Sequence, residues 1–222
     1  MNDNSLKQIG ENIWVIDQPS NFLGVAFGLR MTIIRNEQQQ LTLHSVIPCN
    51  EEREIELQAL GKITQFIVPN LEHTRFITQW QQRYPDAQTF SPPSSTIQNS
   101  IDLTAFRSNA LSSIPIKGIP RLQEFVFFHS ESKTVLLTDL AFNLNSDISL
   151  WGKCFLKMNG AYNQFTSSRI LKSLIKDKSA FCSSIEQIMQ WEFEQIVMAH
   201  GTPITENARE RFIHSFRWAL AL

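Results

Sequence analysis

The chain has 222 residues, with 20 Lys and Arg against 21 Asp and Glu and a formal net charge of −1. So balanced a charge removes the electrostatic reason to expect a nucleic-acid or anionic-membrane partner. Apolar residues make up 42 % and charged residues 18 %, with 16 Phe and 5 Trp, so a sizeable core is expected and disorder is not.

The first half opens on short β-rich runs at Ile13–Asp17, Met31–Arg35 and Leu41–His44, the last two joined by a polar turn. Glu51–Leu60 has acids in its first turn and Gly61 after it, which predicts a helix. Gln65–Val68 reads as a buried strand. Leu71–Tyr84 is predicted helical, with Phe76, Ile77 and Trp80 on one side and Pro85 as its stop. Ser91–Ser100, with two prolines and a Ser/Thr/Asn cluster, is a loop.

The second half repeats the order. Phe125–His129 and Val135–Thr138 are predicted strands around a short turn. Alternation puts His129 on the face of Phe125 and Phe127. Helices are predicted near Ser168–Lys176 and Ser184–Phe193, the latter with Ser184 and Gln187 as a capping box. Gln195–Ala199 is a strand, and Asn207–Leu222 an amphipathic closing helix capped by Asn207 and Glu210. Strands followed by helices, twice over, argue an α/β or layered αβ architecture.

The cysteines, Cys49, Cys154 and Cys182, are odd in number and form no C-x-x-C pair. That excludes a zinc ribbon and a thioredoxin-type motif and suits a reducing cytosol. The start of the chain is polar and no apolar run reaches the ~18–20 residues that span a bilayer. The expectation is one cytoplasmic domain over residues 1–222, with a small-molecule substrate or ligand, no nucleic acid and no membrane.

The informative polar residues share one kind of position. His44 ends one predicted strand, Asn70, Glu72 and His73 follow a second, Asp139 a third and His200 a fourth. In layered α/β folds the loops after strand carboxyl ends gather into one crevice. Convergence of His44, His73, Asp139 and His200 is therefore expected. A His and carboxylate set suits Zn²⁺, Fe or Mn²⁺. The same residues would equally serve as a metal-free hydrogen-bonded network that holds the loops. Cys49, which follows Pro48 near His44, would face the same crevice.

Three stretches resemble the metallo-β-lactamase superfamily. FVFFHSESKTVLLTDLAFN (Phe125–Asn143) is similar to its paired strands that end in Gly-Asp, with Thr138-Asp139 in that place. QIVMAHG (Gln195–Gly201) resembles its last ligand strand, which ends in His-Gly. QFIVPNLEHTR (Gln65–Arg75) sits where its H-x-H-x-D-H run belongs. The opening ENIWVID and the hairpin RMTIIR…LTLHS resemble a subgroup of unknown function with a degenerate metal motif.

The resemblance implies a four-layer αββα sandwich and a metal-dependent hydrolase. The departures change what is expected of the site. Aligned from the strand end, the family run reads Asn70-Leu71-Glu72-His73-Thr74-Arg75, and the histidine expected shortly before Phe125 has no counterpart in Gly118–Glu124. That leaves at most a mononuclear site of His73, Asp139 and His200, completed by His44 or Glu72 and holding one Zn, Fe or Mn ion or none. Glu72 and Asn70 are the candidate catalytic residues, Glu72 as a base. Arg30 and Arg75 would hold an anionic substrate. The alternative is a non-catalytic relative that uses the crevice, or its closing helix, to bind a ligand or partner.

Overall fold

A computed structural model describes residues 5–22, 24–144 and 149–220. In chain order the first half comprises β1 (Lys7–Gly10), β2 (Ile13–Gln18), β3 (Asn21–Phe22), β4 (Val25–Ala26), β5 (Leu29–Arg35), β6 (Gln40–His44), α1 (Glu51–Leu60), β7 (Lys62–Ile67), α2 (Ile77–Arg83), β8 (Gln88–Ser91) and β9 (Ser100–Asp102). The second half comprises β10 (Leu111–Pro115), β11 (Phe125–His129), β12 (Thr134–Leu137), β13 (Phe142–Asn143), α3 (Leu150–Met158), β14 (Phe165–Thr166), α4 (Arg169–Leu174), α5 (Lys178–Ile188), β15 (Gln195–Met198) and α6 (Ala208–Phe216).

Two large sheets carry the fold. One has the order β1-β2-β5-β6-β7-β8-β9 and the other β10-β11-β12-β15. Each begins antiparallel and ends parallel: β6 to β9 in the first sheet, β12 with β15 in the second. Alternation sorts the side chains into layers. In β2, Ile13 and Val15 enter the core between the sheets, whereas Trp14 and Ile16 face outward. In β11, Phe125 and Phe127 face the first sheet, and Val126 and Phe128 the opposite side. Leu57 of α1 and Ile77 and Trp80 of α2 cover the outer face of the first sheet. Phe181 and Ile185 of α5 and Phe212 and Phe216 of α6 cover that of the second. The result is a four-layer αββα sandwich. Among the described residues, no helix is long and apolar enough to cross a membrane.

Several helices differ from expectation for local reasons. Only Ile77–Arg83 of the predicted Leu71–Tyr84 is helical. Asn70 Oδ1 accepts the backbone N–H of Glu72 and His73, both at 3.0 Å, and this fixes a loop instead. α5 starts earlier than expected because Asp177, not Ser184, is its N-cap. Ser184 lies inside the helix, donating to the Ala180 carbonyl and accepting from the Lys117 N–H. Asn207 adopts a left-handed conformation and makes no capping side-chain bond. α6 ends at Phe216, but Ala219 and Leu220 remain buried beyond it. α3 (Leu150–Met158) has no counterpart among the predicted elements.

Candidate metal centre

Three chain segments that follow strands β7, β12 and β15 meet at one edge of the sandwich. They bring together His73, Asp139 and His200, whose ligand atoms all lie within 4.8 Å of one another. His73 Nε2 is 3.3 Å from Asp139 Oδ2, and His200 Nε2 is 3.5 Å from Asp139 Oδ1. The two imidazole Nε2 atoms are 3.2 Å apart. A tetrahedral ion with bonds of ~2.0–2.1 Å spaces its donors about 3.3 Å apart, so these separations fit one ion.

The remaining nitrogens of the two rings are both engaged. His200 Nδ1–H donates to the Gly28 carbonyl at 2.7 Å. That carbonyl can only accept, so a neutral His200 presents a bare Nε2 to the cluster. His73 Nδ1 shares a hydrogen bond of 2.8 Å with Ser45 Oγ. Phe27 and Phe142 lie against the His200 ring, each with centroids 5.8 Å away, and keep it dry on those sides.

Behind Asp139 stands a second layer of polar groups. Asn70, fully buried, donates from Nδ2 to Asp139 Oδ2 at 2.8 Å. Glu124, also buried, accepts the N–H of Thr138 at Oε1 (2.8 Å) and of Asp139 at Oε2 (2.9 Å). Burial, and then the Asp139 charge, push the Glu124 carboxyl up despite these bonds. Burial pulls Asp139 upward too, but the charges and hydrogen bonds of His73 and His200 outweigh it and hold Asp139 well below the usual carboxylate range.

The His200 loop is braced from beneath. Gly201 has φ +86°, and a Cβ there would come within 2.3 Å of the Asn143 carbonyl oxygen. Arg30 is buried and donates from Nη1 to the carbonyls of Met198 (2.9 Å) and Gly201 (2.7 Å). Its Nη2 pairs with Asp17 at 2.8 Å.

The sequence candidates thus fall into different places. His44 is not in the cluster: Leu41 and Leu43 of β6 face the outer core, which sends His44 between the sheets against Phe127 at 5.3 Å. Glu72 is exposed and lines the cavity beside His73. Asn70 sits behind Asp139, outside the cavity wall. Arg30 is a buried internal brace outside the cavity wall, whereas Arg75 lines the cavity. Cys49 packs on the outer core and does not line the cavity, and burial raises its thiol pKa. Glu124, Ser45 and Gly28 were missed. The one signal for Glu124 is its place directly before the strand Phe125–His129.

The cluster opens into a cavity of about 660 Å³, within the range of small-molecule sites. Its wall is mostly apolar, with Phe27, Phe76, Phe142 and Phe155 prominent, and it carries Arg75 and Arg121. Both arginines are exposed, and among the described residues neither forms an ion pair.

A family model described as a domain of unknown function (DUF4336) matches residues 10–97. No curated protein sequence matches the chain. Among solved structures it is similar to a metallo-β-lactamase from Pontibacter korlensis, with TM-score 0.65 at 11 % identity over 96 % of this chain and 98 % of that one. It is similar to the DIM-1 metallo-β-lactamase, with TM-score 0.65 at 11 % identity over 97 % and 96 %. It is also similar to the metallo-β-lactamase FIM-1 from Pseudomonas aeruginosa in its mono-zinc form, with TM-score 0.62 at 14 % identity over 97 % and 94 %. The chain has a metallo-β-lactamase-like fold.

Proposed function

We propose that this protein is a hydrolase dependent on one divalent metal ion, held by His73, Asp139 and His200. The observation that carries this reading is the set of three donor atoms within 4.8 Å at the floor of a cavity. The mono-zinc structure among the fold neighbours supports a single ion. Such an ion supplies a water of lowered pKa and polarises a carbonyl or phosphoryl oxygen.

The chain's own residues divide the remaining work. Gly28 and Ser45 orient the two imidazoles, and Asn70 with Glu124 fixes the Asp139 carboxylate. Glu72 is the base within the cavity, next to His73 in sequence. Arg75 and Arg121 attract an anionic group, and the phenylalanine wall takes an apolar body.

A second reading is a ligand-binding protein without metal, and Asn70 favours it. Asn70 occupies the first histidine position of the resembled run and satisfies Asp139 with an amide. One experiment separates the two. Protein purified without chelator is assayed for metal, then tested on esters, thioesters, lactones and phosphodiesters. About one equivalent of metal, lost in His200→Ala, with turnover by the loaded wild type, is the expected result. No metal, and no uptake of added Zn²⁺ or Mn²⁺, overturns the hydrolase reading.

A further inference from the structure

The near-zero net charge hides an uneven distribution. Residues 149–178 hold six basic residues, Lys153, Lys157, Arg169, Lys172, Lys176 and Lys178, and one acid, Asp177. Of the chain's 20 basic and 21 acidic residues, this leaves 14 and 20 for the rest. The segment is therefore a basic island on an acidic protein.

Apolar exposure concentrates in the same segment. Six large apolar side chains are strongly exposed among the described residues, and four lie here: Leu150 (86 %), Trp151 (57 %), Met158 (59 %) and Ile170 (52 %). At 100° per residue, Leu150, Cys154, Met158 and Trp151 of α3 fall within an arc of about 100°. Lys153 and Lys157 border that arc, and Gly152 and Leu156 are buried on the other side. Arg169 donates from Nη1 to the Met158 carbonyl at 3.1 Å and ties α4 to the end of α3.

This face adjoins the cavity. Phe155 and Leu156 of α3, and Ile170, Leu171 and Leu174 of α4, line the cavity that leads to His73, Asp139 and His200. We infer that α3 and the start of α4 form a docking face for an anionic lipid bilayer at the mouth of the cavity. Acyl chains take the apolar stripe, and anionic headgroups take the lysines beside it. An apolar tail then passes from the bilayer to the phenylalanine wall without crossing water. The expectation of no membrane partner rested on the charge of the whole chain, and whole-chain charge does not describe this face. The docking face stands on α3 and α4 alone, so it survives or fails independently of the metal reading.

Vesicle flotation of the full chain tests it. Phosphatidylcholine vesicles are compared with vesicles containing about a third phosphatidylglycerol. The expected result is about tenfold more protein floating with the anionic vesicles, lost in high salt. Leu150→Ser with Trp151→Ser, and separately Lys153→Glu with Lys157→Glu, should each cut binding about tenfold at an unchanged melting temperature. The salt series needs no substitution and keeps the test valid if a variant folds poorly. Wild type that stays in the aqueous fraction, or variants that float like wild type, overturns the inference. Concentration-dependent self-association abolished by Leu150→Ser and Trp151→Ser, without flotation, overturns it in favour of an interface between copies of the chain.

Discussion

His200 Nε2 faces His73 Nε2 across 3.2 Å, with one Asp139 oxygen near each ring. Because His200 Nδ1–H is committed to the Gly28 carbonyl, its Nε2 lone pair points at another ring nitrogen. A cation between them, or a proton on His73 Nε2, is needed to satisfy both. If the cation is the natural occupant, added Zn²⁺ should stabilise the native state. At about 100 times the dissociation constant the gain is ~2.7 kcal/mol, or roughly 5–11 °C for a chain of this size. Thermal melts with Zn²⁺ and with chelator measure it, and His200→Ala should erase the difference. Superimposable melts of the wild type would sink the idea.

Asn70 is the hinge of the polar layer behind the site. One side chain satisfies the N–H groups of Glu72 and His73 and one oxygen of Asp139, and it is fully buried. Asn70→Ala strips these three partners and a longer contact to Glu124 Oε2 at 3.4 Å. The expected cost is about 2–4 kcal/mol in urea unfolding, with metal affinity down ~10–100-fold by calorimetric titration. A variant that keeps wild-type metal affinity would show that Asp139 does not depend on Asn70 for its orientation.

How much of this was legible in the sequence depends on which physical signal each residue leaves. His73, Asp139 and His200 lie just after strands, and strand ends converge in layered folds. His44 carries the same signal but ends on the inner face of β6, a choice that depends on which layer Leu41 and Leu43 join. Glu124 acts through hydrogen bonds to groups 14 and 15 residues further along the chain, and Ser45 through one to a residue 28 further along, and no local pattern encodes such pairs. Arg30 looked like a substrate residue because a lone arginine leaves no sign of burial in sequence. α3 escaped because its apolar stripe faces outward, so its periodicity does not mark a core-facing helix.

Arg30 gives a prediction about the support of His200. It holds the carbonyls of Met198 and Gly201 and the carboxylate of Asp17. Arg30→Met leaves two inward carbonyls without a donor and Asp17, one-third exposed, without its partner. A loss of about 3 kcal/mol in denaturant unfolding is expected. Arg30→Lys should recover only part of it, since one ammonium cannot reproduce the guanidinium fork. Full recovery by Lys would show that charge alone, and not the fork, sets this brace.

The buried histidines set the acid limit of stability. Burial, and next the charge on His73, lower His44 to about 3, and burial lowers His129 against the opposing pull of Glu131. In the unfolded chain both titrate near ~6.5. Below that pH the unfolded state binds protons that the native state refuses, so stability falls as pH drops from about 6.5 toward 3. His44 contributes up to ~1.4 kcal/mol per pH unit in that window, and His129 acts in the same direction. His44 Nε2 has no hydrogen-bond partner, so His44→Leu removes the penalty and leaves no acceptor or donor stranded. Urea midpoints in chelator between about pH 6.5 and 5 should fall less steeply in His44→Leu than in wild type. That window lies above the range where most carboxylates titrate, so the difference reports His44. Parallel slopes in the two proteins would mean that His44 is protonated in the native state, and that the inner face of β6 admits a charge.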